Sequence, residues 1–393
     1  MKKVLIIGAS ILQLPAILKA KELGYCVAAA DYNPNAVGVP YADEFFNVST
    51  IDAEGVTEAA RLFMPDGVMT LATDMPMRSV AAACKALGLP GISAETAIKA
   101  TDKAEMIKAF EEHGVEHPWY YVVKKGADPV DIAEHIAFPC ISKPTDNAGS
   151  RGVMLIRSAE ELKSAIEYSS ANGRSGEVII EEYLTGKEVS VEVMAVRGDI
   201  HVLQVTDKIT TGAPHFVEMG HTQPSRLPYK DVEAIKDLAK RAVKAIGIDD
   251  GPAHVEIMLT KDGPKMIELG ARMGGDCITT HLVPLSTGID MVEATLKVSL
   301  GEEPDIEMKY KKGSAIRYIH SPIGLIRSIV GTETARAVPG VVEVAFTKAI
   351  GERTGELGSS TDRVGYVIAG GEDADDAERI CEEALEALRI TVE

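Results

Sequence analysis

The sequence predicts an α/β protein: a Rossmann-like parallel sheet at the N-terminus, a larger α+β region, and a small α+β module at the end. Three observations carry that reading. Short apolar runs alternate with helical stretches over residues 1–100, the pattern of a parallel sheet with helices on its faces. After residue 101 the alternation gives way to period-two strands and hairpin turns, which belong to antiparallel sheet. At 393 residues the chain exceeds one ordinary core, so about two to four domains are expected.

Val4 to Ile7 is a short apolar run suited to a buried parallel strand. Pro15 to Leu23 reads as a helix closed by Gly24. Lys2 and Lys3 before an apolar run resemble a signal peptide, but Gly8, Gln13 and Pro15 interrupt the run, and strand, turn and helix explain it better. Val27 to Ala30 makes the next strand, ending in the turn Asp31-Tyr-Asn-Pro34. Gly67 to Ala72 is a third strand, followed by a helix from Met77 to Leu87 that Gly88 closes.

Ala104 to His113 is a helix ended by Gly114, and strands follow at Pro118–Val123 and Phe138–Lys143. Ser158 with Glu161 three residues on predicts a capping box for a helix over 159–171. Glu177 to Tyr183 is a strand. Val189, Val191, Val193 and Ala195 alternate with other residues as a half-buried antiparallel strand, which Arg197-Gly198-Asp199 turns back into Ile200–Val205. A helix over 231–246 precedes a hairpin over 252–270, and the chain ends in a strand over 364–369 and a helix from Asp375 to Leu388. His215, Glu218 and His221 fall in a stretch without core periodicity, read as a loop.

Apolar residues make up 46% and charged residues 25% of the chain, an ordinary globular mix. The net charge of −18 repels phosphate backbones and argues against nucleic acid as a partner. No run of about 18 apolar residues is present, so no membrane partner is expected. Cys26, Cys84, Cys140, Cys277 and Cys381 are scattered and odd in number, a pattern of reduced thiols in a cytoplasmic protein.

The sharpest chemical signal is the hairpin around Lys261-Asp262-Gly263. Glu256 and Glu268 lie six residues either side of Asp262, so a turn centred there sets the two carboxylates face to face, about 5 Å apart at Cβ. Like charges so placed are destabilising, unless a cation such as Mg²⁺ sits between them; the other reading is two solvated acids on the outer face of a hairpin. Beyond Glu268, Arg272 stands among Gly270, Gly274 and Gly275, where it can clamp an anionic oxygen. Lys103 opens a helix and Lys143 ends an apolar strand. Between them and the next helix, the loop Asp146–Val153, with Gly149, Ser150 and Gly152, could cradle phosphates on its backbone N–H groups. Glu181-Glu182-Tyr-Leu184-Thr-Gly186-Lys-Glu188 joins two strands and offers backbone groups to an adenine edge and an acid to ribose hydroxyls. No GxxxxGK[ST] occurs, and Gly8–Gln13 fails GxGxxG, which counts against a dehydrogenase.

Taken together, Lys103, the Ser-Lys143-Pro strand, the Gly-Ser-Arg-Gly loop, the Glu-Glu-x-x-x-Gly-x-Glu linker, and Glu256, Glu268 and Arg272 resemble the ATP-grasp superfamily in order and spacing. The stretch from Thr206 to Pro224 looks most like L-amino-acid ligases, and Ser359–Gly371 resembles the C-terminal module of biotin carboxylase-like relatives. The resemblance implies a pre-ATP-grasp domain over 1–100, an ATP-grasp domain of two α+β subdomains over 101–300 with a lid over about 115–185, and a C-terminal module over 301–393.

It further implies ATP and Mg²⁺ as cofactors, with Mn²⁺ able to replace Mg²⁺. Lys103 and Lys143 would bind phosphates under the 146–153 loop; Glu181, Glu182 and Leu184 would hold adenine, and Glu188 the ribose. Glu256 and Glu268 would carry metal, and Arg272, Lys208 and His221 would serve the chemistry. His215, Glu218 and His221 are candidates for positioning the amine or taking its proton. Where the family carries Asn two residues after the second Glu, this chain has Gly270, which leaves the second metal site in doubt. The implied activity is an ADP-forming ligation of a small-molecule carboxylate to an amine through an acyl phosphate, by an enzyme that could form a homodimer. The rival readings are a carboxylase or carbamoyl-phosphate-synthase-like enzyme, and a non-catalytic ATP-binding module.

Overall fold

The computed structural model describes residues 1–124, 126, 129–147, 149 and 151–393. The N-terminal unit is a parallel sheet of β1 (Lys3–Ile7), β2 (Cys26–Asp31), β3 (Glu44–Asn47) and β4 (Gly67–Met69), in the order β3-β2-β1-β4. The order reverses between β1 and β4, which pair in parallel; such a switch opens a crevice at the carboxyl ends of the strands. Helix Met77–Leu87 follows, closed by Gly88 in the left-handed conformation at φ +67°. The strand expected to reach Ala72 ends at Met69. The strand Glu44–Asn47 and the helix Ala53–Phe63, not anticipated from the sequence, complete the unit.

A second sheet of β5 (Tyr120–Val123), β6 (Cys140–Pro144), β7 (Met154–Ile156) and β8 (Val178–Glu182) is antiparallel, in the order β5-β8-β6-β7. It has its own small core, including Ile132, Ile156, Leu162 and Ile180, under the helix Ala159–Asn172. That helix forms where expected, but its capping box does not. The Ser158 side chain caps no backbone N–H, and Glu161 instead accepts from the Arg157 N–H at 2.8 Å.

The largest sheet contains β9 (Lys187–Val196), β10 (Asp199–Thr210), β11 (Glu218–Gln223), β12 (Gly251–Thr260), β13 (Gly263–Gly270) and β14 (Gly313–Ile319). After β15 (Gly324–Val330) come β16 (Val341–Phe346), β17 (Arg353–Thr354), β18 (Gly365–Gly371) and β19 (Arg389–Val392). Eight strands join in the order β13-β12-β9-β10-β11-β14-β18-β16. The sheet therefore runs without a break through position 300, because β14 pairs with β11 on one side and β18 on the other.

Two expectations are corrected here. Residues 189–196 of β9 are buried on both faces, not one. Val189, Val191 and Val193 pack with the helix Tyr229–Ile246, while Met194 joins the core that the N-terminal sheet shares with Leu282 and Ile316. Glu218 and His221 lie on strand β11, not in a loop. The polar run Glu218–Gln223 hides its strand character because both neighbours bury it, and Thr222 and Gln223 are inaccessible.

Candidate active site

Three of the four sheets converge on a cavity of about 510 Å³. Its wall includes Ala72–Asp74 beyond β4, Lys103 at a helix start, Lys143 and Glu181–Leu184 from the second sheet, the β12–β13 hairpin, and Arg363 from the C-terminal region. Lys103 is the first residue of helix Lys103–Glu112, set there by Asp102, whose side chain accepts from the N–H groups of Ala104 and Glu105.

Glu256 stands directly across from Glu268, as the spacing predicted. The turn is not centred on Asp262, however. Thr260 pairs with Gly263, leaving Lys261 and Asp262 as a two-residue turn, so an unbroken ladder would set Glu256 opposite Ile267. A bulge at Ile267 shifts the register by one residue, so that Ile257 meets Met266 while Glu256 meets Glu268. Met266 thereby enters the core and Glu268 the cavity.

Each carboxylate is balanced by a buried lysine. Lys103 Nζ donates to Glu268 Oε1 at 2.9 Å and to the Asn147 carbonyl at 2.7 Å. Lys208 Nζ lies 2.5 Å from Glu188, 3.3 Å from Glu256 and 3.8 Å from Glu218. Burial alone would push both ammonium groups down, but the surrounding carboxylates outweigh it and hold both above their ordinary value, Lys208 well above. Burial likewise opposes the charged form of Glu256, yet Lys208 and His254 hold it well below the usual carboxylate range.

Arg272 forks onto Asp74, with Nε donating at 3.0 Å and Nη2 at 2.9 Å. A Cβ at Gly270 would fall 2.6 Å from Asp74 Oδ1 and 3.1 Å from Arg272. The space that an Asn side chain would fill at this position is thus taken by Asp74, which explains the glycine.

Lys143 Nζ lies 2.6 Å from Glu181, both nearly inaccessible. Glu182 accepts from Lys265 at 2.7 Å, and Tyr183, Leu184 and Glu188 line the cavity where the chain leaves β8. Of the loop glycines, Gly149 lies on the cavity wall at φ +68°, whereas Gly152 does not. A Cβ on Gly152 would meet Pro144 and Asn172 at 2.8 Å, so packing accounts for it. Ser150 lies outside the described residues.

At the far end, Glu218 and His221 both reach the cavity, while His215 is exposed and off its wall. His221 Nε2 lies 3.3 Å from Asp276, and its buried Nδ1 has no hydrogen-bond partner among the described residues. Asp276 and Cys277 both have positive φ, 51° and 61°, a conformation costing about 1–3 kcal/mol per non-glycine residue. It delivers Asp276 to a two-point pair with Arg363, at 2.8 Å and 2.8 Å, and Arg363 stacks 3.6 Å over the Tyr318 ring. Burial raises the Asp276 carboxyl, but Arg363 and His221 overcome it and hold the group below its ordinary range.

Sequence reading gave no role to Asp74, Glu192, His254 or Arg363. Asp74 had a signal, since it follows a parallel strand at its carboxyl end. His254 had one too, standing two residues before Glu256 and so on the same strand face. Nothing local marks Arg363, which meets Asp276 across 87 residues.

Among the described residues no three His, Cys, Asp or Glu side chains converge as a ready metal cage. The facing pair Glu256 and Glu268, opening onto a cavity lined by cations, fits Mg²⁺ held by two carboxylates and substrate phosphates.

Residues 136–280 match the ATP-grasp domain model, and residues 317–393 match the L-amino acid ligase C-terminal domain 2. An uncharacterised protein of Sinorhizobium fredii is 28% identical over 344 residues, covering 86% of this chain and 68% of that protein. The alanine–anticapsin ligase of Bacillus subtilis is 27% identical over 323 residues, covering 76% of this chain and 67% of the ligase. The solved L-amino acid ligase of Bacillus licheniformis superposes with a TM-score of 0.87 at 24% identity, covering 100% of this chain and 99% of that one. That last likeness speaks for the fold. No helix among the described residues is long and apolar enough to cross a membrane.

Proposed function

We propose that this chain, built on an ATP-grasp domain and an L-amino acid ligase C-terminal domain, is an ADP-forming ligase that joins a carboxylate to an amine, with amino-acid-like substrates. The observation that carries the reading is that Glu268 paired with Lys103, Glu256 paired with Lys208, and Arg272 paired with Asp74 share one cavity wall. A carboxylate and a triphosphate are both anions, so their reaction needs fixed positive charge where negative charge moves.

Lys103 and Lys143 exchange their carboxylate partners for phosphate oxygens. Arg272, whose fork already holds a planar carboxylate, takes the oxygens of the activated acyl group. Mg²⁺, when bound by Glu256 and Glu268, supplies charge neutralisation on the transferring phosphoryl group. Glu181, Glu182, Leu184 and Glu188 border the end of the cavity assigned to the nucleoside. Glu218 and His221 border the part assigned to the amine, with His221 orienting it or receiving its proton, and Lys208 stands between Glu188 and Glu218 where the two parts meet. The second sheet, with its own core, acts as the lid that keeps water from the acyl phosphate.

A homodimer is the assembly we favour, and a cytoplasmic setting suits five unpaired cysteines. The test is a product screen: Mg-ATP with pooled amino acids and small organic acids, monitored for ADP and phosphate. Release of ADP and phosphate only when carboxylate and amine are both present supports the reading. AMP and pyrophosphate, or stimulation by bicarbonate without an amine, would overturn it.

A further inference from the structure

Glu192 sits in the middle of β9, fully buried, directly across from His254 of β12. Its Oε1 lies 2.6 Å from His254 Nδ1, and its Oε2 has no hydrogen-bond partner among the described residues. On the other side of the imidazole, Nε2 lies 3.4 Å from Glu256 Oε1, while Glu256 Oε2 faces Lys208 at 3.3 Å. The backbone of Gly274 closes over the pair. A Cβ there would fall 2.6 Å from His254 Nδ1 and 3.0 and 3.1 Å from the Glu192 oxygens, so only glycine leaves the pair in place.

A buried carboxylate with one oxygen unfilled is costly, and apolar residues of similar volume often replace a whole buried ion pair without loss of stability. Met194, next on the same face of β9, shows that this surface accepts an apolar side chain. What an apolar residue could not do is hold the imidazole so that Nε2 faces Glu256. With only Lys208 to hold it, Glu256 would share one cation with Glu188 and Glu218 and could turn away from Glu268.

We propose that Glu192 and His254 are positioning residues that aim the Glu256 carboxylate at the divalent cation shared with Glu268. This rests on the reading of Glu256 as a metal ligand and extends it, since partners behind a ligand tune metal affinity as the ligands themselves do.

The test titrates Mn²⁺ into the full-length protein with saturating ADP, reading free ion by electron paramagnetic resonance. Glu192→Leu and His254→Gln should bind Mn²⁺ about ten- to a hundred-fold more weakly than wild type. Metal-free ADP affinity should be unchanged, while Glu192→Leu should melt below wild type, because it leaves the buried imidazole of His254 without its partner. Glu192→Gln, which keeps an acceptor for the imidazole N–H, should retain most of the Mn²⁺ affinity. A His254→Gln protein that binds Mn²⁺ like wild type overturns the proposal, whatever Glu192→Leu does, and decides it alone if Glu192→Leu fails to fold. Glu256→Gln is the control: undiminished Mn²⁺ binding in that variant would remove the metal reading itself.

Discussion

Glu256 and Glu268 face each other across β12 and β13 only because one extra residue, Ile267, is inserted between Glu268 and Met266. The bulge reverses the strand phase, placing Met266 in the core and Glu268 in the cavity on neighbouring positions of the ladder. Glu268→Gln keeps the side-chain volume and removes the charge. It should lower ADP formation at least about a thousand-fold, in line with the loss of one charged group that stabilises a transferring phosphoryl, and leave the circular dichroism spectrum unchanged. Steady-state assay of purified protein checks it, and near-normal turnover would mean that Glu268 carries no metal.

Gly270 and Asp74 make a second coupled pair. Gly270→Asn introduces a side chain whose Cβ would meet Asp74 Oδ1 at 2.6 Å. The single variant should therefore lose activity at least about ten-fold, because the crowded Asp74 pushes the Arg272 guanidinium out of position. Asp74→Ala in the same chain makes room, so the double variant should recover part of that loss. A cycle of the four proteins should show a coupling of about 1 kcal/mol or more, within the range for residues in contact. Strict additivity in kcat/KM would show that the space between the two residues is not shared.

The legible parts of this protein are those written in local periodicity. The helix Met77–Leu87 and the β12–β13 hairpin follow from apolar spacing and turn residues. The opposition of Glu256 and Glu268 was also legible, although by a symmetry that the two-residue turn breaks and the bulge restores. What stayed hidden depends on long-range neighbours. Strand β11 carries few apolar residues because its polar side chains find partners in the interior, as Gln223 does with Thr206 and Ser286. Asp276 meets Arg363, and Asp74 meets Arg272 across 198 residues, through tertiary packing that no window of sequence displays.

Lys208 is the cation common to Glu188, Glu218 and Glu256, and its side chain is 3% exposed. Lys208→Met keeps the length and removes the charge, leaving three carboxylates around an apolar tip. Unfolding free energy in urea should fall by about 3–5 kcal/mol, the range for removing one partner from a buried ion pair. Mg²⁺ with ADP should recover more stability in this variant than in wild type, because a divalent cation relieves the same repulsion. An unchanged urea midpoint would show that the three acids are neutralised by other means.

The Asp276–Arg363 pair sets an acid limit on stability. The carboxyl of Asp276 is held below its ordinary value of 3.8 by Arg363 and His221, against burial. A group whose pKa is lowered on folding contributes stability that is present above its unfolded pKa and is lost as pH falls through the folded one. The wild type should therefore melt higher than Asp276→Asn at pH 7, with the gap steady down to about pH 5 and narrowing below about pH 4, where the unfolded carboxyl takes up its proton. Thermal melts of both proteins from pH 3 to pH 7 measure the gap directly. A gap that widens toward low pH would mean that the carboxylate is destabilised in the folded state, and that Arg363 does not neutralise it.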